Sequence, residues 1–191
     1  YPIHTEKAGY QKDVDWLEYE LNAEVTVPEK FIRVGQIAQE RYKLSIVQFK
    51  KKKDLLKYAH QIFEVLNESF RPLYGFAPLT DAQIDYYIKM YFSFIVLDFI
   101  SVVVDEHDKV AAFGITMPSL SKAVQKSGGK ILPFGFIHIL RAMKKNDTVD
   151  FYLTAVRPEL QGKGVNALLF IDLIPKYRKF GIKKAESNVE L

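Results

Sequence analysis

Apolar positions along this chain repeat with two periods. In DLLKYAHQIFEVLNESF, residues 54–70, Leu55, Leu56, Ala59, Ile62, Phe63, Val65 and Leu66 fall at largely helical spacing, which predicts an amphipathic helix ending before Pro72. LSIVQF, 44–49, alternates instead and is rich in β-branched residues, so it reads as a strand. After the loop RPLYGFAPL, Thr80 stands as an N-cap with Gln83 three residues on, the capping-box pattern that opens a second helix. FISVVV and KVAAFGITM flank the short polar DEHD, which predicts an antiparallel hairpin. The most apolar run, FSFIVLDFISVVV at 92–104, is interrupted by Asp98 and Ser101, and its β-branched content suits a buried strand. One or two helices are expected between 118 and 147. TVDFYLTAV is then a strand, VNALLFIDLIPKYRKFG a helix and KKAESNVEL a last strand, while residues 1–21 read as an amphipathic helix with an edge strand. This alternation predicts an α/β layer with strands on both sides of a crossover.

Composition narrows the chemistry. With 191 residues and 48% hydrophobic content the chain can bury one sizeable core, or a domain plus a fragment of another. It has no cysteine, which excludes disulfides, thiolate catalysis and cysteine-ligated metals. His4, His60, His107 and His138 lack ligand spacing, so no metal site is expected. The net charge of +4 is concentrated in KKKK at 50–53, which reads as a solvated helix end; without interleaved aromatics and arginines it implies no nucleic-acid partner. No stretch is apolar enough over a sufficient length to span a bilayer and no signal peptide opens the chain. No membrane partner and a cytoplasmic location are therefore expected.

One junction stands out. VRPELQGKGVNALLF, 156–170, runs from a strand into a helix through QGKG, leaving the first helical N–H groups without intrahelical partners. Such donors, with the helix dipole behind them, form an anion site. Gly162 and Gly164 allow close approach to the backbone, and Lys163 adds charge. The loop matches neither GxxxxGK[ST] nor GxGxxG. A plain strand-to-helix turn remains the alternative.

The longer segment FYLTAVRPELQGKGVNALLFIDLI resembles the acetyl-CoA-binding segment of the GNAT superfamily of N-acyltransferases. That family has [QR]-x-x-G-x-[GA] after a strand ending in valine and a Pro-Glu turn. Gln161, Gly164 and Ala155-Val156-x-Pro158-Glu159 fall in register, whereas Asn166 stands where the family has Gly or Ala. The resemblance implies an α/β fold with a mixed, mostly antiparallel sheet flanked by helices on both faces, and acetyl-CoA as co-substrate. Its pantetheine arm would pair near Ala155 and Val156, and the amides of Gly162, Lys163, Gly164, Val165 and Asn166 would hold the diphosphate. YGFAPLTDAQ, the 118–135 region and KAESNVEL further resemble an uncharacterised bacterial branch with tandem units. Thr5-Glu6-Lys7-Ala8-Gly9-Tyr10 resembles the superfamily's terminal piece, Tyr-Glu-Lys-x-Gly-Phe, with Thr5 in place of tyrosine. Residues 1–24 are accordingly expected to be the end of a preceding unit, 25–41 a connecting segment and 42–191 the acyltransferase domain; alternatively the N-terminal tail completes the same sheet.

The implied reaction moves an acetyl group from acetyl-CoA to the amine of a small molecule or peptide. It requires a fixed donor, an oxyanion stabiliser and a proton acceptor. Asp150, at the start of the binding strand, matches the position of the glutamate base in the histone-acetylating branch, and alternation places it on one face with Tyr152 and Thr154. Glu186 is a second candidate, with Glu190 a rival and Asn188 between them. The loops around Tyr74, Phe76 and Pro78, and LPFG at 132–135, are candidate determinants of the acceptor. Two other readings share the pattern: a catalytically degenerate CoA-binding or scaffolding domain, and a transferase using aminoacyl-tRNA as donor.

Overall fold

In the computed structural model, which describes residues 1–189, the periodic segments form the elements expected of them. A short helix α1 (Pro2–Lys7) and strand β1 (Glu20–Asn22) precede α2 (Glu29–Tyr42), β2 (Ser45–Ile46), α3 (Lys52–Phe70) and α4 (Asp81–Tyr91). The hairpin follows as β3 (Ile100–Val104) and β4 (Val110–Pro118), then α5 (Ser121–Lys126), α6 (Gly135–Lys144), β5 (Thr148–Val156), α7 (Asn166–Phe180) and β6 (Lys184–Glu186). Thr80 and Gln83 close the capping box at α4. The strands form one six-stranded sheet in the order β1-β6-β5-β4-β3-β2, antiparallel throughout except for the β5/β6 pair.

Helices cover both faces, as predicted. On one side the apolar stripe of α3, Leu55, Tyr58, Ile62, Val65 and Leu66, packs on Ile100, Val102, Phe113 and Ala155. On the other, Leu168 and Leu169 of α7 pack with Ala38 of α2 on Val103, Ala111 and Ala112. Leu173 and Tyr177 pack on Phe99, Val149 and Ala185. Each fully buried aliphatic side chain in these clusters contributes about 1.5–3 kcal/mol of transfer free energy. The Tyr177 hydroxyl lies 2.8 Å from Thr116 Oγ1, which also donates to the Phe99 carbonyl, so both buried hydroxyls are satisfied.

Four local features differ from the expectations. Residues 29–42, expected to connect, form a 14-residue helix that buries Gly35 and Ala38; Phe31, Val34, Ala38 and Tyr42 give it an apolar period of its own. In 44–49 only Ser45 and Ile46 pair with β3, with Val47 N–H adding a bond to the Val102 carbonyl. The apolar run at 92–104 becomes a strand only from Ile100, after a 3₁₀ turn at Leu97–Phe99. The last strand pairs only over Lys184–Glu186, and Glu190 lies outside the described residues. At the far edge Glu20, Leu21 and Asn22 pair with Glu186, Ala185 and Lys184, so the N-terminal segment extends this same sheet.

Candidate functional site

β5 carries the site, and its two flanks differ. Toward β4 it is paired along its length. Toward β6 it pairs only at Thr148–Asp150; beyond Asp150 no described strand bonds to that edge, and Asn188 Nδ2 reaches the Tyr152 carbonyl at 3.4 Å. The β4 register skips Tyr152: Ile115 faces Leu153 while Thr116 faces Phe151. This one-residue bulge inverts the side-chain alternation. Val149 and Phe151 face α7 before it, whereas Leu153 and Ala155 face α3 after it. Asp150 therefore does not share a face with Thr154, as simple alternation predicts. Thr154 turns toward Leu169 and Leu173 of α7, and Asp150 stands on the α3 side.

The start of β5 lines a cleft of about 480 Å³, open on its outer side. Here the structure brings together Asp150 and Glu186, which are register partners on adjacent strands, with Glu20 next in the row. Tyr19, Tyr152 and Asn188 complete the wall, and no lining residue is cationic. Glu20 is tied to Lys184 Nζ at 2.9 Å, which leaves Asp150 and Glu186, with Glu18 on the same wall, as the carboxylates without a cation partner among the described residues. One Asp150 oxygen, Oδ1, is shut off from water and has no described hydrogen-bond partner. Burial consequently lifts the Asp150 carboxyl above the ordinary aspartate range; the Ser119 hydroxyl partly offsets this, and the charge of Glu186 adds to it. Burial also raises Tyr152, helped by the Asp150 and Tyr91 charges, so that phenol keeps its proton at neutral pH.

The end of β5 lines a second cleft of about 640 Å³, whose walls contain no charged side chain. Seven of the eight predicted binding residues meet here: Ala155, Val156, Gln161, Gly162, Gly164, Val165 and Asn166. The N–H groups of Gly162, Gly164, Val165 and Asn166 have no acceptor among the described residues, and α7 starts at Asn166 with Val165 at the N-cap and no side-chain cap. Four free donors and a helix N-terminus thus border a cavity without carboxylates, an arrangement that fits a diphosphate. Gly162, at φ +70°, has nothing within 4 Å of a built Cβ, so its open side is available to a ligand. Gly164 does not share that property. At φ +79° its missing side chain is replaced by Val34 of α2, whose Cγ1 would stand 2.3 Å from a Cβ. Lys163 is absent from the wall because its Nζ lies 5.3 Å from the Tyr42 ring centroid, a cation–π contact.

The strand edge between the clefts is also specific in its polarity. Arg157 N–H donates to the Ala111 carbonyl on β4 at 2.8 Å. Antiparallel alternation then turns the peptide groups of Ala155 toward Phe113, and those of Thr154 and Val156 toward the open side. Ala155 thus lines the cleft without offering its amide, and Thr154 takes that place. The Val156 carbonyl accepts from Ser69 Oγ at 2.8 Å and Gln161 Nε2 at 3.0 Å, so Gln161 acts by fixing the strand end. Ser69 and Thr154 carry no motif in the sequence; only the packing of α3 and the bulge bring them here. Tyr74, Phe76, Pro78 and residues 132–135 line neither cleft, Phe76 instead packing edge-on against Phe70.

No known family's sequence model matches the chain. A bacterial ceramide synthase from Caulobacter vibrioides is 28% identical over 145 residues, 73% of this chain and 35% of that protein, so the chain spans about a third of its curated relative. Among solved structures, a GCN5-related N-acetyltransferase from Sphaerobacter thermophilus superposes with a TM-score of 0.58 at 14% identity, over 99% of this chain and 47% of that one. The GCN5-related glucosamine N-acetyltransferase region of a fungal multi-domain GH3 β-N-acetylglucosaminidase gives a TM-score of 0.58 at 12% identity, over 100% of this chain and 20% of that one. With the mixed sheet, the interrupted β5/β6 pairing and the amide loop before α7, these likenesses establish that the chain has the GNAT acetyltransferase fold.

Proposed function

We propose that this chain is an acyl-CoA-dependent N-acyltransferase that joins the acyl group of a thioester to a primary amine. The observation that carries this reading is the division of β5, which offers an uncharged, amide-lined cleft at one end and an uncompensated pair of carboxylates at the other. Bound acyl-CoA would supply an activated carbonyl on a thiol leaving group. The free amides of Gly162, Gly164, Val165 and Asn166 would hold its diphosphate, and the exposed edge at Thr154 and Val156 would align its amide-bearing arm. At the other cleft Asp150 and Glu186 attract the amine as its ammonium form. Asp150, poorly solvated and raised in pKa, then takes the proton that must leave before nitrogen can attack. The Val156 N–H, turned away from β4 at the wall of the second cleft, would stabilise the oxyanion. Acetyl is the acyl group that the binding segment implies. The relative named for ceramide synthesis, whose product is an N-acylated amine, extends the same reaction to longer acyl groups.

Calorimetric titration of acetyl-CoA and CoA, beside a Gly162→Asp variant, tests the donor half. Asp adopts the left-handed backbone more readily than most residues, and its charge would repel the diphosphate. Saturable binding to the parent, lost in the variant, supports the reading; absence of binding to the parent overturns it. Release of free thiol on adding amines, abolished in Asp150→Asn, then separates an enzyme from a domain that only binds CoA.

A further inference from the structure

Between β4 and β5 the chain carries a surface that neither cleft uses. From Ser119 to Asn146 there are six Lys and Arg residues and no carboxylate. Lys122 is paired with Asp147; Lys126, Lys130, Arg141, Lys144 and Lys145 are exposed, with no ion-pair partner among the described residues. Interleaved with them is an exposed apolar ridge. Ile131, Leu132 and Phe134 are 61%, 75% and 69% exposed in the loop before α6, and Phe136, Ile137 and Leu140 continue it along the helix. The inward side of α6, Ile139, Ala142 and Met143, is half-buried against the body, so the ridge is a second apolar face of an already packed element. Single exposed apolar side chains are ordinary, but six within ten residues form a contiguous patch that marks an interaction surface.

We propose that this segment docks the protein on an anionic lipid surface, the apolar ridge entering the headgroup region and the cations resting on it. The composition chooses lipid over protein. Lysine is depleted at the cores of protein interfaces, whereas helices that lie in the bilayer plane combine Phe and Leu with flanking Lys and Arg. The lack of any carboxylate over these residues removes the repulsion that an anionic leaflet would otherwise meet. No helix among the described residues is long and apolar enough to cross a membrane, so the contact is peripheral. Ser121, at the start of α5, lines the carboxylate cleft, which places that cleft beside the docked surface.

Flotation of the chain with vesicles of equal parts phosphatidylcholine and phosphatidylglycerol, beside pure phosphatidylcholine, tests the proposal. Binding to the anionic vesicles only, weakened by salt, is expected. Arg141→Ala with Lys144→Ala should weaken partitioning roughly 25-fold, at about fivefold per cation. Leu132→Ser with Phe134→Ser should abolish it. All four side chains are exposed, and an unchanged circular dichroism spectrum with unchanged CoA affinity shows that the variants fold and keeps this test distinct from that of acyl transfer. No flotation, or equal flotation of parent and both variants, overturns the proposal. So does a dimer that light scattering finds dependent on Leu132 and Phe134 while vesicles stay unbound.

Discussion

Replacing Gly164 with alanine adds one methyl at the tightest backbone approach around the amide loop. The built Cβ lies 2.3 Å from Val34 Cγ1, well inside the 3.5–4.0 Å at which carbon atoms rest. Val34 sits in α2, where a β-branched side chain has one strongly preferred rotamer and cannot swing aside. The cost then has two parts: about 1–2 kcal/mol for an L-residue in the left-handed region, and about 1–3 kcal/mol of overpacking between α2 and the loop. Gly162→Ala is the control, since its φ is similar and nothing stands within 4 Å; it should lose about 1–2 kcal/mol, the backbone part alone. Urea denaturation of both variants, with Val34→Ala added to Gly164→Ala, separates the parts. Val34→Ala should return the overpacking part, giving a coupling of about 1–3 kcal/mol. Equal losses at the two glycines, or strict additivity with Val34→Ala, would refute the view that Gly164 serves α2 packing.

Asp150→Asn should lower kcat/KM by about 10²–10⁴ with CoA affinity unchanged, read by thiol release and calorimetry. The rate of the parent should rise with pH through a value above 3.8, because the carboxylate form is the one that accepts the proton. The same variant should be more stable at neutral pH. A carboxyl with a raised folded pKa holds its proton longer in the native state, so native stability falls as pH rises through 3.8 toward that pKa. The gain in melting temperature should therefore vanish on acidification toward 3.8. Ser69→Ala removes one of two donors to the Val156 carbonyl and should cost about 0.5–1.5 kcal/mol in urea. Tyr177→Phe should cost a similar amount, about 0.5–1.5 kcal/mol, because Thr116 keeps its bond to Phe99.

How far the sequence reached follows from which interactions write themselves into it. α3 was legible because most of its buried positions are Leu, Ile and Val at helical spacing, and the β3/β4 hairpin because apolar runs flank a polar turn. α2 has an apolar period too, in Phe31, Val34, Ala38 and Tyr42, at odds with a plain connecting segment; what that period does not show is that the helix meets α7 through Gly35, whose absent side chain leaves room for Ile171 and Leu168. The amide loop was legible in its glycines, yet their separate duties were not: only the position of Val34, over a hundred residues upstream, distinguishes Gly164 from Gly162. Ser69 reaches the site through a contact with Val156 that no local pattern encodes.

The bulge at Tyr152 is the step on which the site depends, and it too is invisible in a run that alternates well. Without it Asp150, Tyr152, Thr154 and Val156 would share one face, and the carboxylates would stand in line with the backbone that receives the diphosphate loop. One extra residue turns Thr154 and Val156 to the α7 side while leaving Asp150 beside Glu186 on the other. It also coincides with the place where β6 stops pairing, so the edge that opens is the one whose peptide groups face outward. An acidic cleft that attracts an ammonium and an amide-lined cleft that attracts a phosphate are thereby separated along a single strand. Deleting Tyr152 should remove the bulge while leaving Asp150 and Thr154 on opposite faces, because Phe151 and Leu153 already face opposite sides of the sheet; the expected result is an intact sheet by circular dichroism with turnover retained. Loss of turnover with the sheet intact would show that the site needs the bulged residue itself and not only the division of the two faces.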